Sequence, residues 1–399
     1  MTERTNTAII ALSDAVPGMY IVNPGISWLE SPLLYAQEGF LATQSAISDI
    51  VRQGYTEVCH DPSRFRQCHD LDDGLSTANI PWPGQSVSAA SLGDEIPRAR
   101  ATYADAFEHI QDLMQDTQVK PVDMAASRPY IEAVIQSLSR NRDALIALTK
   151  LKKSDQCAHT HSVNVAILSI AYAQYLGLPK DKLPLVGLAG LFHDYGKIFI
   201  PQAILNAPRK LTPAERTVMQ AHVELGFAHL ARDKDANHEI LQGVMQHHER
   251  YNGTGYPNRL KGNTISIYGL ILSLSDHYDA LSSQRVYKEP MPANVALAVM
   301  YKMRSQVWAP GYVERFIKML GIYPAGTPVQ LSNGERGVVC HSNPDFPALP
   351  TVIIALSPDG KSIRPQLRDL SEQPGLEIER SLAGTDAEQM DIGLLLSQS

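Results

Sequence analysis

Seven side chains between residues 161 and 276 could together hold metal ions: His161, His193, Asp194, His222, His247, His248 and Asp276. Imidazole and carboxylate donors suit iron, manganese, zinc and related divalent cations. A carboxylate between two such ions can bridge them at about 3.5–4 Å. The seven fall as two adjacent pairs and three single residues, each pair or residue in or at the end of a separate helical stretch. Helix bundles build metal sites from side chains that project inward from several helices. Taken singly, any of these histidines is more often structural than ligating. The chain has 13 histidines, so each needs weighing. His60, His69 and His341 lie in turn-like stretches, and His109, His229 and His238 on polar or ambiguous helix faces. Helical spacing points His159 and His277 away from His161 and Asp276. The five that remain have coherent contexts, which makes a shared site the better reading than five accidents.

The stretch HHERYNGTGYP, residues 247–257, adds a second feature. Its paired imidazoles sit where a helix is expected to end, so their side chains need not diverge by the helical ~100° per residue. Gly253, Gly255 and Pro257 then form a turn that can fold back and carry Tyr256 over the site. A plain surface turn is the competing reading.

The elements that must position these residues are mostly helical. From about 101 to 322 apolar residues recur three and four apart. RPYIEAVIQSLSRNRDALIALTKL, HSVNVAILSIAYAQYLG, residues 181–193, EILQGVMQHHER and ISIYGLILSLSDHYDALSS all read this way. LTPAERTVMQAHVELGFAHL reads as one helix with Thr212 as N-cap, Pro213 at the first turn and Glu215 completing a capping box. His222 falls inside it. Residues 1–65 read as a small α/β module and 66–100 as a linker rich in Pro, Gly, Ser and Asp. Residues 323–399 read as a short β-rich segment, with hairpin turns at Asn333-Gly334 and Asp359-Gly360. The fold class is mainly α: a helical bundle with a small α/β N-terminal module and a small β-rich C-terminal appendage.

Bulk composition narrows the function. The chain has 399 residues, 44% of them apolar, with a net charge of −7. That length exceeds one typical core, so two or three domains are expected. Mild acidity argues against binding a nucleic-acid polymer. No stretch reaches the roughly 20 apolar residues of a membrane span, and the N-terminus lacks a secretory signal. Cys59, Cys68, Cys157 and Cys340 show no CxxC spacing and fit a reducing cytoplasm.

The motifs HSVNVAIL, LFHDYGKIFIP, QAHVELG, HHERYNGTGYP and SDHYDALSSQRVYKEP, in that order, resemble the HD-GYP family of cyclic dinucleotide phosphodiesterases of bacterial signalling. The resemblance covers roughly residues 155–320; GMYIV, WLESP and QEGF resemble, more loosely, a module that often precedes such domains. It implies packed helices around a centre of two or three metals, iron or alternatively manganese. By position, one ion takes His161, His193, Asp194 and Asp276. The other shares Asp194 and adds His222, His247 and His248. A third ion requires a glutamate where this chain has Cys157, so two metals are expected. The resemblance also implies phosphate contacts from Lys197, Tyr256, Arg285 and Lys288. Two cations and one arginine suit two phosphodiesters. Two positions depart from the family pattern: Asn252 stands where aspartate is usual, and Leu270 where arginine is frequent.

The expected reaction is hydrolysis of cyclic di-GMP, or of cyclic GMP-AMP, to a linear dinucleotide. A hydroxide held between two cations bridged by Asp194 would attack one phosphorus, with Lys197 and Arg285 offsetting charge on the phosphate oxygens. Two readings from other classes stay open: a degenerate protein that binds a cyclic dinucleotide without cutting it, motivated by Asn252 and Leu270, and a domain that docks a signalling partner. A phosphomonoesterase is a third, and a homodimer is neither implied nor excluded.

Overall fold

The computed structural model describes residues 7–22, 24, 34–35, 39–41, 43–52, 55–65, 90–115, 122–151, 157–283 and 290–398. The chain divides into two compact units, Met1–Trp82 and Pro83–Ser399. In the first, β1 (Ala8–Ala11), β2 (Met19–Ile21), β3 (Leu34–Tyr35), β4 (Gly39–Phe40) and β5 (Glu57–Phe65) form a sheet, with α1 (Gln44–Arg52) between β4 and β5. The long β5 is central: β1 and β2 pair with it antiparallel, β3 pairs with its start in parallel, and β4 extends the edge beyond β2.

The second unit opens with α2 (Leu92–Gln115), α3 (Arg128–Arg140) and α4 (Arg142–Leu151). The sequence reading placed a linker up to residue 100, whereas α2 begins at Leu92; the linker residues 66–89 lie outside the described residues. Composition rich in Pro, Gly, Ser and Asp carries that reading past the helix start; Pro97 sits in the second turn of α2, where it forgoes one backbone hydrogen bond. Buried Glu95 ties α2 to α3, accepting from Arg140 Nε at 2.7 Å and Arg140 Nη2 at 2.9 Å.

At the centre lie α5 (Cys157–Tyr175), polar in its first turns and mostly apolar beyond them, and α6 (Leu183–Phe192), apolar all round; both are buried almost throughout. A helix with no polar face belongs inside other helices. Gly190 permits their contact, since a Cβ there would lie 2.9 Å from Ala166 Cα. Around them follow α7 (Gln202–Leu205), α8 (Pro213–Gln220), α9 (His222–Leu230), α10 (His238–Gln246), α11 (Ile267–Ser282), α12 (Ala293–Met303) and α13 (Tyr312–Leu320). Thr212 and Glu215 form the expected capping box on α8. The single helix expected from 212 to 230 is broken at Ala221, and His222 is the first residue of α9 rather than an interior one.

The C-terminal strands β6 (Pro328–Leu331), β7 (Arg336–His341), β8 (Thr351–Leu356), β9 (Ser362–Asp369) and β10 (Ile378–Ser381) form an antiparallel sheet in the order β10-β6-β7-β8-β9. The short helices α14 (Thr385–Glu388) and α15 (Ile392–Leu396) close the described chain. Expected as an appendage, this sheet belongs to the same compact unit as the helices. It is fastened to α4 where Ser342 Oγ donates to Asp143 Oδ1 at 3.1 Å, and where Gly326 meets Ala147 too closely for a side chain. No helix among the described residues is long and apolar enough to cross a membrane.

One contact of the fold bears directly on the site. The turn after α6 presses on α9 through Gly196, whose Cβ, if it had one, would lie 1.8 Å from the carbonyl oxygen of His222. Replacing Gly196 by alanine must therefore push α9, and His222 with it, away from α6. Gly196→Ala should lower unfolding free energy in urea by about 1–3 kcal/mol, as overpacking does. An unchanged urea midpoint would show that α9 is not wedged there.

Candidate metal centre

Three of the five histidines are set by one local arrangement at helix C-termini. His193 follows α6, and its Nδ1 donates to Gly190 O at 2.8 Å. His222 follows α8, and its Nδ1 donates to Met219 O at 2.8 Å. His247 follows α10, and its Nδ1 donates to Val244 O at 2.6 Å. In each case the acceptor is the carbonyl three residues back, one of those a helix end leaves without an intrahelical partner. A carbonyl can only accept, so Nδ1 carries a proton, and in the neutral ring Nε2 keeps a lone pair for a metal. This is the outer hydrogen bond that metal-bound imidazoles carry.

The free Nε2 atoms converge on Asp194. His193 Nε2 lies 3.2 Å from Asp194 Oδ2, and His222 Nε2 lies 3.2 Å from Oδ1. His247 Nε2 is 3.9 Å from Oδ1 and His161 Nε2 is 3.6 Å from Oδ2. Asp276 enters from α11, with Oδ1 3.1 Å from His161 Nε2 and Oδ2 3.9 Å from His248 Nδ1. The donors fall into two groups, Asp194 with His222, His247 and His248, and His161 with His193 and Asp276. All seven residues singled out from the sequence are therefore brought together.

The cluster fits cations better than it fits itself. His161 Nε2, His193 Nε2 and Asp194 Oδ1 are buried and make no hydrogen bond among the described residues, although each has a neighbour of complementary type within 3.2 Å. Buried polar atoms left this way are costly, and a metal ion would satisfy all of them. Burial opposes charge on Asp194, but Lys197 and His193 beside it hold its carboxyl well below the usual carboxylate range. Asp276 is likewise held down against burial, chiefly by His161. Burial and the neighbouring imidazoles keep His247 neutral, and burial holds His248 down to about 3 despite Asp276. Burial also works against a charge on His161, yet the carboxylates of Asp276 and Asp279 lift it to about 9.

Lys197 Nζ contacts the Asp194 carboxylate directly. Tyr256 stacks on His248 with ring centroids 4.7 Å apart. Its loop folds back because Gly255 has no side chain; a Cβ there would lie 2.4 Å from Arg250 N. Burial raises the Tyr256 phenol above its ordinary value, helped by Asp194 and Asp276, so it stays a neutral donor. Arg285 and Lys288 lie outside the described residues. Cys157 opens α5, but its side chain is not described. Asn252 keeps its turn by accepting from Thr254 N at 3.0 Å and Thr254 Oγ1 at 2.7 Å, and Leu270 is buried on α11.

A cleft of about 240 Å³ opens beside His247, His248, Tyr256 and Asp276. His277 lines it, contrary to the expectation that helical spacing turned it away, and so do Arg216 and Gln220 of α8. The helical wheel compares only neighbours on one helix, whereas the cleft is walled by several. Sequence reading also missed Glu249 and Asp279. Asp279 sits one helical turn beyond Asp276, a spacing that could have found it. It accepts from His161 Nδ1 at 2.7 Å.

Each part of the chain has counterparts among known proteins. A family model described as an HD domain matches residues 133–310. Models described as a domain of unknown function (DUF3391) and as a KOW domain associated with HD domain match residues 9–126 and 328–390. A cyclic di-GMP phosphodiesterase of Pseudomonas aeruginosa is 31% identical over 354 residues, spanning 88% of this chain and 85% of that protein. A cyclic di-GMP phosphodiesterase of Thermotoga maritima is 37% identical over 169 residues, 41% of this chain and 45% of the relative. A 3'3'-cGAMP-specific phosphodiesterase of Vibrio cholerae is 34% identical over 159 residues, 40% of this chain and 30% of the relative.

Glu249 gives a test of how the Tyr256 loop is held. Its buried carboxylate accepts from Asn258 N at 2.7 Å and Leu260 N at 2.9 Å. Glu249→Ala strands both amides at a cost of about 1–3 kcal/mol each. Amide hydrogen exchange at Asn258 and Leu260 should rise at least tenfold while metal content stays as in wild type. Exchange unchanged at both amides would contradict this role for Glu249.

Proposed function

From the premise that this chain belongs to the HD-GYP family of cyclic dinucleotide phosphodiesterases, we propose that it hydrolyses cyclic di-GMP to the linear dinucleotide at the Asp194–Asp276 cluster, with cyclic GMP-AMP as the second candidate substrate. The observation that carries the reading is the set of buried histidine nitrogens and a carboxylate oxygen that make no hydrogen bond among the described residues yet crowd around Asp194 and Asp276 in two donor groups. Cyclic di-GMP is placed first because it is the substrate named for the relative spanning most of both chains.

His161, His193 and Asp276 would hold one divalent cation, His222, His247 and His248 the other, and Asp194 would bridge the two. Donors of imidazole and carboxylate without thiolate suit iron, with manganese as the alternative. Bound there, two cations supply Lewis acidity and hydroxide near neutral pH. The protein's own groups do the rest. Asp194 and Asp276 stay ionised, and His247 and His248 stay neutral, so these four donors are in their ligating form, while His161, lifted by Asp276 and Asp279, would give up a proton to an incoming cation. Tyr256 offers a neutral hydroxyl at the cleft and Lys197 a cation beside Asp194, both suited to oxygens of a phosphodiester. Arg285 and Lys288 would take the second phosphate. Two buried free thiols, Cys59 and Cys340, accord with a cytoplasmic enzyme.

The degenerate-binder reading draws no support from Asn252 or Leu270. The first preserves its turn and the second is an apolar residue in the helix core. A homodimer or a docked signalling protein would be compatible with the site.

Two expectations test the reading. Protein reconstituted with iron or manganese should convert cyclic di-GMP to a linear product. His193→Ala with Asp194→Ala should lose both the metal and the activity, and metal-loaded wild type that cleaves neither cyclic di-GMP nor cyclic GMP-AMP would overturn the assignment. Lys197→Ala should keep its metal but lose about 10²–10³ in kcat, the scale for one lost charge-stabilising donor. Retained kcat would remove Lys197 from the chemistry.

A further inference from the structure

Among the described residues, two ligand histidines, His161 and His248, lack the bond to a helix-end carbonyl that fixes the other three, and His161 has a carboxylate in its place. His161 is on the first turns of α5, and its Nδ1 donates to Asp279 Oδ2 at 2.7 Å instead. A carboxylate can rotate and accept in several directions, so something must hold Asp279. Its Oδ1 accepts from Asn164 Nδ2 at 2.8 Å and from Ser283 Oγ at 2.7 Å. Asn164 must in turn present its amide nitrogen, not its oxygen, to that carboxylate. It does so because Nδ2 faces two groups that only accept, Asp279 Oδ1 and, at 3.4 Å, Thr149 O; the Oδ1 left facing α2 then accepts from the hydroxyl of Tyr103 at 2.8 Å, which holds the amide in place. Tyr103 and Asn164 have no exposed surface and Asp279 is 1% exposed. Without the Tyr103 hydroxyl, Asn164 Oδ1 would be a buried acceptor with no partner. Asn164 would then gain by shifting toward another donor, and that would loosen its hold on the Asp279 carboxylate.

We propose that Tyr103 is a positioning residue for the metal centre, acting through Asn164 and Asp279 to hold His161 with its proton on Nδ1 and its Nε2 lone pair toward the cluster. The inference rests on the metal-centre reading above. Tyr103 is on α2, outside residues 133–310 matched by the HD domain model, so the site depends on a helix that the matched segment does not contain. Outer partners of metal-bound histidines typically change metal affinity or activity by about 10–100-fold when removed.

The test is metal affinity, measured by chelator competition with Mn²⁺ on the full chain, with urea unfolding of the stripped protein alongside. Tyr103→Phe removes one oxygen, and Asn164→Leu removes the middle of the relay at similar volume. Tyr172→Phe is the control: it removes an equally buried hydroxyl, bonded to Tyr312 O at 2.6 Å, elsewhere on α5. Each relay variant is expected to weaken one of two Mn²⁺ equivalents by roughly 10–100-fold and leave the other within twofold. Tyr172→Phe should lower stability with both equivalents unchanged. Either relay variant, if folded, decides the matter. Affinities equal to wild type in the relay variants overturn the inference alone, as does an equal loss in the Tyr172→Phe control. Wild type that holds no Mn²⁺ overturns it together with the proposed function.

Discussion

The centre of this protein depends on one repeated hydrogen bond, from an imidazole Nδ1 to the carbonyl three residues before it, at the C-termini of α6, α8 and α10. The bond does two things together. It satisfies a carbonyl that the helix cannot, and it commits the ring proton to Nδ1 so that Nε2 faces inward with a lone pair. A helix C-terminus also carries partial negative charge, which favours a cation placed before it. Three helix ends must therefore meet at one point, and the packing of α5 and α6 at the core arranges that meeting. The close approaches at Gly190 and Gly196 are the marks of it, since a side chain at either would separate helices that carry ligands.

Burying two carboxylates in that meeting place would be unfavourable without compensation. Asp194 is 7% exposed and contacted on all sides by imidazoles and Lys197. Its carboxyl nonetheless stays well below the usual range, so the site sets an ionised carboxylate beside the neutral rings of His247 and His248. Such a site is built to be completed by cations. Lys197 stands where it can offset charge on a phosphate, and the Tyr256 loop, pinned by Glu249, closes one side of the cleft.

Much of this was legible in the sequence. The seven ligand candidates needed only residue type, helical period and the observation that polar pairs occur where apolar runs stop, as at His193-Asp194. The capping box at Thr212 and the hairpin glycines Gly334 and Gly360 were equally local, and both glycines adopt the left-handed backbone their turns require. Three things were not legible. The break at Ala221 interrupts a helical pattern that has no proline or glycine to announce it, and only packing against the Gly196 turn reveals why His222 starts a new helix. The Tyr103–Asn164–Asp279 relay joins residues 61 and 115 positions apart, and periodicity carries no information at that range. The joining of the C-terminal sheet to α4 through Asp143 and Ser342 likewise spans 199 positions. Fold class and ligands follow from local pattern; orientation of those ligands follows from contacts that only the folded chain creates.

The central claim is that Asp194 would be shared by two cations, with the other six residues divided between them. Anomalous X-ray diffraction from crystals of the manganese-loaded protein tests it most directly. The account predicts two peaks about 3.5–4 Å apart, the usual separation of paired catalytic metals, with one Asp194 oxygen facing each. A single peak, or two peaks with Asp194 bound to only one of them, would contradict it.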